Sequence, residues 1–160
     1  MGNNQARKRI LATYIQNTKD NKVRNKKRVI VDAINNTPLD VTTINFGGSY
    51  IGARHFHSIC FVLRQLTNLT TLKLKSNGLG NHSAIKLSEI MRNHPSITHI
   101  DVDRNNISRN GAEQLLKMLC QNPNIITLKM TAKAASRKTF KKISHRLEKN
   151  MQINVAKPLQ

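Results

Sequence analysis

The chain has 160 residues, of which 38% are hydrophobic and only 4% are aromatic, with no Trp. This length suits one ordinary domain or one short repeat array, and so few aromatic side chains argue against a single thick core. The formal net charge is +19, from 27 Lys and Arg against 8 Asp and Glu, and it bears on partners and solubility rather than on fold. Because aromatic side chains are so few, we expect a thin, continuous core of Leu, Ile and Val.

The positive charge lies mainly at the two ends of the chain. Residues 1–28 carry nine basic and one acidic side chain, residues 133–160 carry eight and one, and residues 29–132 carry ten and six. Either end alone carries about as much net charge as the magnitude of about 2 to 8 that keeps a whole small domain soluble. We therefore expect a contact with an acidic protein, nucleic-acid phosphates or an anionic membrane surface. The alternative is a solvated face that keeps the array soluble. The candidate anion-binding residues are Arg7, Lys8, Arg9, Lys26, Lys27, Arg28, Lys138, Lys141, Lys142 and Arg146.

Cys60 and Cys120 both fall on apolar helical patterns, which predicts two small buried side chains. Neither has a Cys or His nearby at metal-ligand spacing, so we expect no zinc site, and nothing points to another cofactor. No apolar run approaches the roughly 18 residues that span a membrane, and no apolar signal segment opens the chain, so we expect a cytoplasmic protein. Gly2 before basic residues resembles an N-myristoylation signal, with Ala6 in place of the preferred Ser or Thr, which leaves membrane-surface association as an alternative.

The first predicted element in chain order is an amphipathic helix within residues 7–18, part of an N-terminal basic cap over residues 1–22. A second helix is predicted over residues 23–36. Its β-branched run would also suit a strand, but its apolar positions align with those of the later helices at a spacing of 28 residues. That register favours the helix.

The stretch from Asn68 to Gly80 has the pattern of a short strand, with leucines at alternate positions, followed by an Asn turn. The same pattern recurs 28 residues on, from Ser96 to Ser108. A fixed period of this length is typical of a solenoid. Three apolar rows align at that period: Val41, Leu69, Ile97 and Ile125; Ile44, Leu72, Ile100 and Leu128; and Phe46, Leu74, Val102 and Met130.

Each repeat unit is therefore predicted to be one strand followed by one helix, neither of which buries its apolar face alone. Asn77 and Asn105 stand at the turns, where a side-chain amide can donate to and accept from backbone groups that an irregular turn leaves unpaired. Gly52, Gly80 and Gly111 are expected to ease the entry into the helices.

The last unit departs from the pattern and predicts a basic C-terminal cap over residues 133–160. We expect a helix from Ser136 to Asn150 and then a final strand from Met151 to Val155. The inward side of that helix is predicted to be Phe140, Ile143 and Leu147.

The LxxLxLxxN pattern at a period of 28 residues resembles the leucine-rich repeats of the ribonuclease-inhibitor type, over residues 23–155. The resemblance implies one α/β solenoid domain over residues 1–160, with a repeat core at 23–132. Its curved parallel sheet would lie on the concave side, its helices on the convex side, and helical caps at both ends. Families with this repeat include ribonuclease inhibitors, Ran GTPase-activating proteins, the C-terminal domain of tropomodulins and several bacterial effectors. The resemblance is specific for fold and not for function.

The resemblance also implies that the strand residues between the leucines face the concave surface, where such proteins bind partners. The candidate partner-binding residues are Thr71, Lys73, Lys75, His99, Asp101, Asp103, Thr127 and Lys129. One acidic strand lies between two basic ones, which suits a specific protein partner better than a uniform phosphate backbone. The alternative is that Lys73, Asp101 and Lys129 pair with one another across the sheet.

Catalysis is not expected from this sequence. His55 and His57 are two positions apart on a predicted helix and so point to different faces. Asp101 and Asp103 share a face, but no nucleophile, base and orienting group converge there. The glycine-rich stretch at residues 47–52 matches neither phosphate-binding pattern.

The sequence therefore predicts a non-enzymatic adaptor that binds an acidic protein surface through its concave face and basic ends. One alternative is an accessory protein of RNA or a ribonucleoprotein that uses the basic caps. Another is a tropomodulin-like actin-binding domain or a bacterial effector acting in the host cytosol. The sequence indicates no oligomeric state.

Overall fold

The fold is described by a computed structural model over residues 41–131 and 135–156. The predicted helices at 7–18 and 23–36 lie outside the described residues, as do the candidate anion-binding residues of the N-terminal end.

Within the described residues, four short strands alternate with four helices. The strands are β1 (Thr43–Asn45), β2 (Thr71–Lys73), β3 (His99–Asp101) and β4 (Thr127–Lys129). The helices are α1 (Gly52–Leu63), α2 (Asn81–Met91), α3 (Arg109–Gln121) and α4 (Arg137–Val155). The strands pair in parallel in sequence order, and each residue lies beside the one 28 positions on. This alternation and register agree with a leucine-rich-repeat type of solenoid.

The core lies between the sheet and the helices. The middle residue of every strand is buried, and it belongs to the row Ile44, Leu72, Ile100 and Leu128. Because successive side chains of a strand point to opposite faces, the residues on either side of this row face away from the helices. The other two predicted apolar rows are also buried, except that Val41 and Met130 are only partly so.

A ladder of asparagine side chains joins the turns after the strands. The amide of Asn77 donates to the carbonyls of Phe46 (2.8 Å), Leu74 (2.9 Å) and Lys75 (3.2 Å), and its oxygen accepts from the backbone N–H of Ile51 (3.0 Å). Asn105 makes the corresponding bonds one repeat later, including one from its amide to the Leu74 carbonyl (2.9 Å). The predicted role of the turn asparagines is confirmed, and each one ties two repeats together.

A second ladder, which the repeat pattern did not predict, follows the helices at the same period. His94, Asn122 and Asn150 are all buried and stand 28 residues apart. The Asn122 amide donates to the carbonyls of Met91 (2.7 Å) and His94 (3.0 Å), and the Asn150 amide donates to that of Ile125 (2.8 Å). His94 is the first of these three residues in the chain, and its ring takes the place of the side-chain amide. His94 and Asn122 follow the ends of α2 and α3, whereas Asn150 lies within α4, and each side chain connects its repeat to the preceding one.

The imidazole of His94 is built into this ladder in its neutral form. Its Nε2 lies 3.1 Å from the Leu66 carbonyl and acts as the donor, while Nδ1 accepts from the N–H of Ile97 (3.2 Å). Burial holds the pKa of His94 below its ordinary value of 6.5, although hydrogen bonds to the carbonyls of Leu66 and Leu63 raise it. Protonation would turn Nδ1 into a second donor facing another donor.

We expect the free energy of unfolding to fall as the pH drops through the range below about 6.5, because the unfolded chain then binds a proton that folded His94 does not. The loss is complete once the pH lies below the pKa of the folded state. A His94→Asn variant should lose this part of the pH dependence, since Asn holds the same position at 122 and 150. Urea unfolding of both proteins between about pH 7.5 and pH 5.5 measures the difference. Parallel pH profiles of the two proteins would contradict the assignment.

Helix α4 differs from the prediction at its C-terminal end. It begins as expected, because the hydroxyl of Ser136 accepts from the N–H of Thr139 (3.1 Å). It then continues to Val155 instead of ending at Asn150, so the predicted strand at Met151–Val155 is wrong. In the two preceding units a proline follows the end of the helix, whereas this unit has Met151 at that position, which lets the helix continue.

Two predictions of burial are also wrong. Phe140 on α4 is 38% exposed, although it was expected to point inward with Ile143. Cys120 is exposed, whereas Cys60 is buried and burial raises the pKa of its thiol to about 12. Cys120 shares its repeat position with the exposed Arg92, so the 28-residue register explains its exposure better than the apolar pattern did.

Candidate functional site

The polar face of the sheet lies opposite the helices and carries the eight predicted partner-binding residues. We define the polar sheet face as Thr71, Lys73, Lys75, His99, Asp101, Asp103, Thr127 and Lys129. Two rows run across the strands. The first joins Thr71, His99 and Thr127, and the second joins Lys73, Asp101 and Lys129. None of the eight side chains is buried.

A shallow depression of about 110 Å³ lies on this face. Both rows line it, together with Leu72 and Ile100. Pockets for small molecules in proteins commonly measure about 300–1,000 Å³ and enclose most of the ligand. The depression therefore suits a protruding side chain of a larger partner better than a small-molecule substrate.

The central row is not neutralised by pairing within the chain. Lys73, Asp101 and Lys129 lie side by side in register, yet no salt bridge within 4.0 Å joins them in the described part of the sheet. The alternative that these three pair with one another across the sheet is therefore wrong. One carboxylate oxygen of Asp101 instead accepts from the backbone N–H of Asp103 (2.9 Å), in the same way that Asn45 accepts from Gly47 (2.9 Å) in the first repeat.

The ion pair across the sheet forms one row further along. Lys75 Nζ lies 3.6 Å from the carboxylate of Asp103, and Arg104 Nε lies 3.8 Å from it. The hydroxyl of Thr131 donates to the same carboxylate at 3.0 Å. This hydrogen bond, followed by one from the Arg104 backbone and the charge of Lys75, holds the pKa of Asp103 below its usual range. Thr131, which stands 28 residues after Asp103 and was predicted to face the same side of the sheet, completes this cluster.

The basic C-terminal helix presents only part of its predicted anion-binding set. Lys138, Lys141 and Lys142 are exposed, as predicted. Arg146 is not free in the same way, because its guanidinium donates to the carbonyls of Leu119 and Cys120, both at 3.2 Å. Since these carbonyls belong to the last turn of α3, Arg146 joins α4 to α3, and its assignment as an anion-binding residue stays a prediction.

The described residues contain no group of three or more His, Cys, Asp or Glu side chains placed to hold a metal ion. Over the same residues, every helix is too short or too polar to cross a membrane.

No known protein family matches the sequence of this chain, and no curated protein matches it either. Among solved structures, the chain is similar to one titled "Leiomodin-1 Actin-Binding Site 2 (ABS2)", with a TM-score of 0.53 and 16% sequence identity. The match covers 71% of this chain and 83% of that one. At this low identity the likeness concerns the fold alone, and it supports the leucine-rich-repeat type of fold.

Proposed function

We propose that this chain is a non-enzymatic module that binds a partner protein through the polar sheet face. The observation that carries the proposal is the central row of Lys73, Asp101 and Lys129, whose charges lie in register without pairing within 4.0 Å in the described sheet. Charges left unpaired on an exposed face can still form ion pairs with a partner. The shallow depression beside them supports a macromolecular partner over a small substrate.

The order of charges across the row defines the partner's chemistry. Two lysines flank one aspartate, so a complementary surface carries acidic groups over Lys73 and Lys129 and a donor over Asp101. The high net charge of the chain favours an acidic partner and speeds its association. Ordered charges of both signs discriminate between partners, because a wrong partner would place like charges together.

Reversing two charges of the row tests this proposal. We expect a Lys73→Glu, Asp101→Lys double variant to bind the partner at least tenfold more weakly, which is about 1.4 kcal/mol. The two changes leave the net charge of the chain unaltered, so an effect reports the arrangement of charges. Partners captured from lysate by the unaltered chain are identified by mass spectrometry, purified and titrated against both proteins.

The matched control reverses one charge of each sign on the helices instead, in a Lys117→Glu, Glu113→Lys variant, which should bind as the unaltered chain does. Circular dichroism confirms that both variants fold. If the sheet variant retains the same partners with the same affinities, the polar sheet face is not the binding surface.

Actin is a second candidate partner, favoured by the likeness to the leiomodin-1 actin-binding site 2 structure. Under this candidate the chain sediments together with filamentous actin or alters the rate of actin polymerisation. The sheet double variant then weakens the effect, and the helix control does not. If neither assay responds to the chain at concentrations well above those of actin, this candidate fails while the general proposal stands.

A further inference from the structure

Helix α4 exposes an apolar side chain where the other helices bury theirs. Phe140 occupies the same repeat position as Phe56, Ala84 and Ala112, and each of those three is at most 1% exposed. Phe140 is 38% exposed. Leu147 likewise is only partly buried, although its counterparts in the other helices, including Leu119, are fully buried.

The repeat geometry shows what covers this position elsewhere in the molecule. Ala84 on α2 faces the first turn of α3, because a Cβ added to Gly111 would lie only 3.1 Å from the Ala84 side chain. By the same register, Phe140 on α4 faces the place of a following repeat. The described residues end with α4, and none of them forms a further repeat beyond it.

Two exposed apolar residues, Phe140 and Met151, and the partly buried Leu147 lie along one side of α4. Leu147 and Met151 follow Phe140 by seven and eleven residues, which are about two and three helical turns and place all three on one side. Met151 is 46% exposed. We name Phe140, Leu147 and Met151 the end strip. Apolar side chains that stay exposed together mark an interaction surface, so the end strip indicates a surface that a partner covers.

Basic residues border the end strip near its beginning. Arg137 and Lys141 are exposed on the adjacent side of the helix, and neither forms a salt bridge with any acidic residue in the described ranges. Glu148, the one acidic residue of α4, borders the strip near Met151. Six basic residues stand against it along the helix.

We propose that the end strip of α4 is a docking site for an acidic amphipathic helix of a partner protein. The apolar side of that helix would cover Phe140, Leu147 and Met151, and its acidic residues would face Arg137 and Lys141. A helix that docks through its apolar face uses anchors about one helical turn or two apart, as the end strip offers. The site is separate from the polar sheet face and does not depend on it.

The charge of the chain favours this occupant over a second copy of the chain. Two copies would each bring a net charge of +19 to the contact, whereas an acidic helix brings the opposite charge.

The probe is a small panel of fluorescein-labelled peptides, each about 18 residues long. They carry Leu or Ile at positions i, i+3, i+4 and i+7 and Glu at most other positions, and their binding to the full chain is measured by fluorescence anisotropy. A peptide of the same composition with scattered leucines is the control peptide. We expect the amphipathic peptides to bind at least tenfold more tightly than the scattered one.

Variants of the chain locate the contact. Met151→Ser, alone and with Phe140→Ser, should weaken binding about tenfold or more, and Lys141→Glu several-fold. Lys142→Glu is the matched control, because Lys142 lies about 100° further round the helix and away from the strip. Glu148→Lys should strengthen binding several-fold, and Lys73→Glu on the polar sheet face should leave it unchanged. Circular dichroism checks the fold of each variant.

Each other occupant gives a distinct result that overturns the proposal. Equal binding of the scattered peptide, or equal effects of Lys141→Glu and Lys142→Glu, would mean non-specific charge attraction. Binding to phosphatidylcholine vesicles containing phosphatidylserine that is lost in Met151→Ser, with no peptide bound, would assign the strip to a membrane. A dimer in sedimentation analysis that the same variant dissociates would assign it to a second copy.

Discussion

Replacing Asn77 by Ala is expected to lower the free energy of unfolding by about 3–4 kcal/mol. The side chain is only 1% exposed and satisfies the N–H of Ile51 and the carbonyls of Phe46 and Leu74, all in the interior. A buried backbone group left without a partner costs about 1–3 kcal/mol, and Ala would leave several. For a chain of this size the melting temperature should fall by about 10 °C.

An Asn77→Asp variant separates the two roles of the side chain. A carboxylate keeps the acceptor for Ile51 but places an oxygen against the carbonyls of Phe46 and Leu74, so it should destabilise the chain at least as much as Ala does. The control is Asn93→Ala, because Asn93 is exposed and its loss should change the free energy by no more than about 0.5 kcal/mol. Similar urea midpoints for Asn77→Ala and Asn93→Ala would refute the structural role of the ladder.

Replacing Gly111 by Ser is expected to cost about 1–3 kcal/mol, as overpacking of a close contact does. A Cβ at this position would lie 2.7 Å from Asn81 Oδ1, 2.7 Å from Ile107 Cγ2 and 3.1 Å from Ala84 Cβ. Asn81 cannot easily move away, since its Oδ1 accepts from the N–H groups of Ser108 (2.8 Å) and Gly111 (3.1 Å) at the start of α3. The helix propensity that Ser gains over Gly, well under 1 kcal/mol, does not offset this.

Gly80→Ser is the matched control for this prediction. Gly80 is the residue before α2, its backbone is extended, and an added Cβ would meet only the Asn106 carbonyl at 3.9 Å. Ser is also a favourable residue at the start of a helix, so this variant should be neutral or slightly stabilising. Thermal unfolding of the two variants measures the difference. If Gly111→Ser melts at the same temperature as Gly80→Ser, α2 and α3 do not pack as closely as the structure places them.

Much of the fold follows from the apolar pattern alone. Leu72 and Ile100 are 28 residues apart in sequence and adjacent in the sheet, as the period predicted. Such prediction succeeds because each repeat contacts only its neighbours, so a local pattern repeated at a fixed spacing also specifies the long-range contacts. The turn asparagines were predictable for the same reason, since their partners lie in the same repeat or the one before it.

Where one side chain replaces another at a repeat position, the pattern predicted less well. Met151 stands where Pro123 ends the previous unit, and without that proline α4 runs on to Val155 in place of a strand. Gly111 was expected to ease the entry into its helix, whereas the structure shows that it lets α3 approach Ala84. Both outcomes depend on which residues pack against the position in space, and a pattern along the sequence does not specify them.

The sequence by itself determined the repeat period, the buried rows, the parallel order of the strands and the residues that share the polar sheet face. These depend on the alternation of apolar side chains, which is local. Only the tertiary structure decided which charges pair, namely Lys75 with Asp103 and not Lys73 with Asp101. It also decided that Arg146 joins two helices and that Phe140 is exposed, because pairing and burial depend on distances between repeats and on which side chains pack against each position.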